Sequence, residues 1–157
     1  MKKNSALVLL LLFAAVLPVA GQLAAGYSTD GNTLAISTDP VNKLWGEFRV
    51  NTKPYNEADW AYNDRGITQA YLLIKVFSAS SISLYAGGGL GANLLSDEND
   101  KWLSINIPIG IRINPFAKLP DLFIFGEYDP MIITSDDIPV IHSISLGFRY
   151  RLVRGEK

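Results

Sequence analysis

The 157-residue chain has no cysteine and one histidine, and its 14 basic residues nearly balance its 15 acidic ones. Without thiols, a disulfide framework and a thiolate metal site are both excluded. A formal net charge of -1 supplies no global field toward nucleic acid or anionic lipid, so nucleic acid is not an expected partner. Long apolar runs are missing too: charged or strongly polar residues interrupt every one after Gln22. Any membrane crossing beyond that point has to be made by strands, because a spanning helix needs about 20 apolar residues. No linker, low-complexity tract or helical periodicity longer than two turns is present in that region.

The first residues have the layout of an export segment. Lys2 and Lys3 precede an apolar stretch from Ser5 to Leu17, and Pro18 leads into the small residues Val19, Ala20 and Gly21. That order of basic, apolar and small-residue regions is expected of a secretory signal peptide spanning residues 1–21. An apolar run of about 13 residues falls short of a permanent anchor. Residues 22–157 are then the folding domain.

In the remaining chain the repeating feature is alternation with period two, which places successive side chains on opposite faces of an extended strand. From Leu103 to Asn114 every odd position is aliphatic, including Ile105, Ile107, Ile109 and Ile111, and the even positions carry small or polar residues, Pro108 and Arg112. From Ser143 to Leu152 the parity reverses: Ile144, Leu146, Phe148, Tyr150 and Leu152 oppose Ser143, Ser145, Gly147, Arg149 and Arg151. Comparable alternation covers 43–51, 68–77, 81–94 and 122–129. Two shorter strands around Asp30-Gly31, a pair suited to a two-residue hairpin turn, bring the expected count to eight. The expected fold is an all-β, antiparallel up-and-down transmembrane barrel. Pro108 removes a ladder donor within a strand, and a bulge is expected there.

The mixed face decides which side points outward. It combines Lys43, Glu47, Arg49, Lys75, Arg112, Glu127, Asp129, Arg149 and Arg151 with Trp45, Tyr71, Phe77, Tyr85, Phe123, Phe125 and the glycines 87, 89 and 91. As a narrow barrel interior, this set offers both charge signs for pairing, rings to fill volume and glycines to make room. The other face is almost wholly apolar over its strand centres, as a band against hydrocarbon must be; an arginine there costs about 2–4 kcal/mol at the midplane. Ile105, Ile107, Ile109, Ile111, Leu146, Phe148 and Tyr150 are the expected lipid-facing residues.

Ser145-Leu146-Gly147-Phe148-Arg149-Tyr150-Arg151-Leu152 resembles the terminal-strand signal of outer-membrane barrels: polar, any, glycine, two of any, aromatic, any, apolar. Together with the export segment and the strand count, it makes the chain similar to the small eight-stranded bacterial outer-membrane barrels, although Val153 to Lys157 continue past the usual stopping point. The resemblance implies membrane lipids as partners. It also implies insertion by the outer-membrane barrel assembly machinery, with Gly147, Tyr150 and Leu152 as the signal residues it reads.

Glu47, Arg49, Arg112, Glu127, Asp129, Arg149 and Arg151 form the expected lumen charge network, read either as a selective pore or as a set of pairs that fill a narrow interior. His142 is the only candidate general base, and Ser143 and Ser145 lie on the opposite face, out of hydrogen-bond reach. The run Asp97-Glu98-Asn99-Asp100 reads as a cation loop or as a solvated turn, and it matches no EF-hand spacing. Tyr55, Trp60 and Tyr62 suit a sugar or partner contact, or an interfacial position. No cofactor, metal or catalytic residue is expected. The expected function is a non-enzymatic outer-membrane barrel with a structural, envelope-maintenance or surface-contact role. Two alternatives stay open: a soluble periplasmic or secreted barrel with the aliphatic face turned inward on a lipid-like ligand, and an outer-membrane lipid-modifying enzyme.

Overall fold

The computed structural model describes residues 23–52, 67–93, 102–134 and 140–152. The strand segments are β1 (Leu23–Ser28), β2 (Thr33–Thr38), β3 (Leu44–Asn51), β4 (Ile67–Ala79), β5 (Ile82–Asn93), β6 (Leu103–Asn106), β7 (Ile109–Ile113), β8 (Leu122–Ile133) and β9 (Val140–Arg151). All pairings are antiparallel between neighbours, and β1 pairs with β9, so the sheet closes on itself. Segments β6 and β7 both lie between β5 and β8. They form one wall position, which makes the fold an eight-stranded up-and-down barrel.

The register sets the width and tilt. Following partners from Ala24 through Ser37, Glu47, Tyr71, Gly89, Asn106 and Met131 leads to Ile141 on β9. Ala24 itself pairs with Arg151 across the closing seam, ten residues farther along. A stagger of that size on eight strands requires the strong tilt typical of barrels, about 35–45°, and leaves an interior that side chains fill.

Proline explains the interruption between β6 and β7, and it does so without a bulge. The pairs Gly89↔Asn106 and Ala86↔Ile109 keep the same register on both sides of Pro108, and so do Asn106↔Met131 and Ile109↔Tyr128. A narrow antiparallel pair exchanges two hydrogen bonds. Gly87 N donates to Pro108 O at 3.0 Å and Ile107 N donates to Pro130 O at 3.2 Å, but neither proline has an N–H to return. Two half-rungs are lost at one level while the register is retained.

The bulge falls instead between Lys75 and Phe77. The extra residue reverses the parity, so Phe77 is exposed on the outside next to Val76; the expectation that it faces inward fails for that reason. Lys43 lies exposed in the β2–β3 turn, outside the mixed face to which alternation assigns it. The first hairpin also departs from expectation: a 3-10 turn at Asp30–Asn32 follows Thr29, with Asn32 at φ 52°, in place of a two-residue turn.

Candidate functional site

Inward positions of three strands build an ionic cluster across the lumen. Glu47 and Arg49 come from β3, Glu127 from β8 and Arg149 from β9. Arg49 grips both carboxylate oxygens of Glu127, at 2.5 and 3.0 Å, and its Nε donates to Glu47 at 2.6 Å. Arg149 donates to both oxygens of Glu47, at 2.7 and 2.8 Å, and its Nη2 lies 3.8 Å from Glu127. The result is a ring of alternating charge in which each arginine faces two carboxylates. All four side chains are at most 8% exposed. Their mutual neutralisation is what makes burial tolerable, because a lone charge in such a place is strongly unfavourable.

Aromatic side chains cover the ring. The Arg49 guanidinium lies 4.2 Å from the Tyr71 ring centroid and that of Arg149 lies 3.8 Å from Phe125. Tyr85 donates to Glu127 at 2.8 Å. Tyr71 donates to Asp129 and accepts from Asn106 at 2.8 Å, and Ser104 donates to Asn106 at 2.7 Å. Asp129 therefore joins the cluster through Tyr71, with Arg49 3.9 Å away.

Two of the charged residues expected here lie elsewhere. Arg112 donates to the Pro40 carbonyl and lies 5.5 and 5.0 Å from the ring centroids of Trp45 and Phe123. Arg151 sits at the end carrying both ends of the barrel sequence, paired with Asp121 at 2.6 Å and Asp39 at 3.2 Å. Both lie on the mixed face, but their partners Pro40, Asp39 and Asp121 are at the end of the barrel that carries the β2–β3 turn. They hold the β2–β3 turn against the barrel mouth, where Asp39 and Pro40 are buried and Lys75 donates to Val41 O at 2.5 Å. At the loop end Ile67, Trp102, Met131 and Ile133 pack into a buried apolar cluster. A second cluster, Trp45, Tyr71, Leu73 and Tyr85, packs against the ionic ring through its two tyrosines. Ionic, aromatic and aliphatic side chains of the described residues are thus buried within the lumen.

The aliphatic face points outward. Ile105, Ile107, Ile109, Ile111, Leu146, Phe148 and Tyr150 are 44–64% exposed, and among the described strands no Lys, Arg, Asp or Glu shares that outer face before the rims. This orientation overturns the alternative with a ligand-binding aliphatic interior. His142 is exposed on the outer face and its Nδ1 lies 2.7 Å from the Tyr128 hydroxyl, whereas Ser143 and Ser145 are buried inside. The imidazole and the two serines are on opposite sides of the wall and form no nucleophile–base pair.

Gly147 packs under the Phe125 ring and Leu152 N donates to Leu23 O at 2.7 Å across the seam. Among the described residues no group of three or more His, Asp or Glu is arranged to hold a metal ion. Asp97 to Asp100, Tyr55, Trp60 and Tyr62, the export segment and Val153 to Lys157 lie outside the described residues.

Comparison with known proteins finds no matching family model and no matching curated protein. Two solved structures are similar. One is the backbone structure of the Yersinia pestis outer membrane protein Ail in a phospholipid bilayer nanodisc, at 21% identity and a TM-score of 0.47, covering 83% of this chain and 97% of that one. The other is the crystal structure of Ail, the attachment invasion locus protein of Yersinia pestis, at 17% identity and a TM-score of 0.42, covering 83% and 94%. A likeness of that size assigns no family; the functional reading rests on the barrel's own register and surface.

Proposed function

We propose that the chain is a bacterial outer-membrane β-barrel, exported on residues 1–21 and inserted by the barrel assembly machinery. Its role is non-enzymatic: a rigid, non-conducting stave that holds surface loops and contributes to envelope structure or surface contact. The observation that carries this reading is the inside-out distribution of polarity, with an ionic ring buried in the lumen and an uncharged aliphatic belt outside. In water such a surface would aggregate, since soluble monomers rarely expose contiguous apolar patches above a few hundred Å²; against hydrocarbon it is the favourable arrangement. The side chains that occupy the lumen favour a stave over a pore: the ionic ring of Glu47, Arg49, Glu127 and Arg149, and the buried clusters around Trp102 and Met131 and around Trp45 and Tyr85.

Two measurements test the proposal. The mature protein should require detergent for extraction and run faster on a detergent gel unheated than boiled, and in planar bilayers it should give no discrete conductance steps. Recovery in the aqueous fraction would remove the membrane reading; regular ion-conducting openings would remove the stave.

A further inference from the structure

The barrel wall is not equally tall all the way round. Strands β1 and β2 have six residues each, whereas β8 and β9 have twelve. The two hairpins rise from one rim: Leu152 N donates to Leu23 O at 2.7 Å, and Tyr150 pairs with Leu122. At the usual rise and tilt, six residues climb about 15 Å along the barrel axis and twelve about 30 Å. The turn at Asp30–Asn32 closes the β1–β2 hairpin early, so its tip stands at about half the height of the wall formed by β8 and β9.

The chemistry of the outer surface follows these two heights. On the hairpin, Leu34 and Ile36 are exposed, but the aliphatic belt stops at the tip directly above Leu34. There Thr29 is exposed, Tyr27 donates to Asn32 Oδ1 at 2.9 Å, and the exposed Thr52 donates to the Asn32 carbonyl at 2.9 Å. Tyrosine is favoured where hydrocarbon gives way to headgroups. Across the barrel the outer face is still aliphatic near the loop end, where Leu90 on β5 and Leu103 at the start of β6 are exposed.

A lipid-facing turn is not tolerated in hydrocarbon, because its backbone groups find no water there. In a flat membrane with an apolar band about 25 Å thick, the tip from Thr29 to Asn32 would lie inside that band. A bilayer meets a wall that is too short by thinning against it, at a modest cost per ångström. We infer that the barrel draws the loop-end leaflet down on its β1–β2 side, so that lipid headgroups rest on the hairpin tip about 10 Å below their level beside β5 and β6. The inference rests on the membrane reading above. The partner of this short wall is the bilayer itself, and the exposed Leu34 and Ile36 meet only the ends of its shortened apolar band.

The chain has no cysteine, so a single introduced cysteine reports depth without interference. Leu34→Cys and Ile109→Cys each carry a nitroxide, in the mature protein folded into dioleoylphosphatidylcholine vesicles. Collision of the label with a water-soluble nickel chelate and with oxygen reads its depth. Both positions are exposed on the outer face, and each lies four residues from the lower end of its strand, at Thr38 and Ile113. A flat bilayer therefore places both labels near its middle, about 12 Å below the headgroups. Thinning separates them: Ile109 should stay at about 12 Å, while Leu34 should read about 5 Å, one to two residues beneath the tip. Equal depths would overturn the inference. So would a Leu34 label closed to both nickel and oxygen, the mark of a protein segment or a second copy lying over the hairpin. An Ile109 label open to nickel would overturn the membrane reading instead.

Discussion

Tyr85 and Gly110 are cross-strand partners on β5 and β7, and the Tyr85 ring occupies the space that a side chain at position 110 would need. The relationship recurs: Gly89 lies opposite and beneath Tyr71, and Gly147 opposite and beneath Phe125. Each ring that covers the ionic cluster therefore has a glycine floor. Gly110→Ala and Gly147→Ala should each destabilise the barrel by about 1–3 kcal/mol through overpacking. Gly88→Ala, with nothing within 4 Å of the added carbon, should be neutral or stabilising by up to about 1 kcal/mol. Urea unfolding in lipid vesicles, followed by gel migration, checks the contrast; equal effects at positions 88 and 110 would contradict it.

Glu47 is the one carboxylate that both Arg49 and Arg149 contact with bonds of 2.8 Å or less. Glu47→Gln removes the charge while keeping the shape, leaving two buried guanidinium groups to share Glu127. Breaking one partner of a buried pair costs about 3–5 kcal/mol. Replacing both Glu47 and Arg149 with apolar residues of similar volume should recover much of that loss. Denaturant midpoints of the single and double variants give the coupling energy; an additive double variant would show that the pair does not interact as described.

The aliphatic alternation of 103–113 and 143–152 is legible in the sequence because lipid-facing residues follow a strict period of two, and the parity reversal between the two strands stands directly in the string. Parity also places Glu47, Arg49, Glu127 and Arg149 on one face. Their partnership is not legible, since which inward residue meets which across the lumen depends on the ten-residue stagger, a property of all eight strands together. Arg112 and Arg151 join the wrong cluster in a sequence reading for the same reason: alternation gives the side of the wall and says nothing of height. Phe77 escapes because one inserted residue, Val76, reverses parity without any compositional mark. The glycine floors are half visible, as Gly87, Gly89 and Gly91 stand out, but their aromatic partners lie on other strands.

Pro108 interrupts β6–β7 by withholding a donor from Gly87 while the register continues unchanged. Pro108→Ala should restore that rung. The new hydrogen bond is worth about 0.5–1.5 kcal/mol, and loss of proline's restriction of the unfolded chain costs about 0.4–1 kcal/mol, so stability should change little. The sensitive observable is hydrogen exchange: the new amide at position 108 should be as protected as that of Gly110. Fast exchange would mean that the wall is open there for a reason other than the missing N–H.

Ile109 is 58% exposed on the outer face, near mid-strand by its pairing with Ala86 and Tyr128. Val140 begins β9 at the loop end and is also exposed. If hydrocarbon surrounds this belt, arginine substitution is depth-dependent: about 2–4 kcal/mol at Ile109, falling to about 0–1 kcal/mol at Val140. In water both substitutions would be nearly neutral, because exposed positions away from caps and cores tolerate charge within about 0.5 kcal/mol. Unfolding free energies of Ile109→Arg and Val140→Arg in the same vesicles decide between the two solvents, and equal small effects would leave the aliphatic belt facing water.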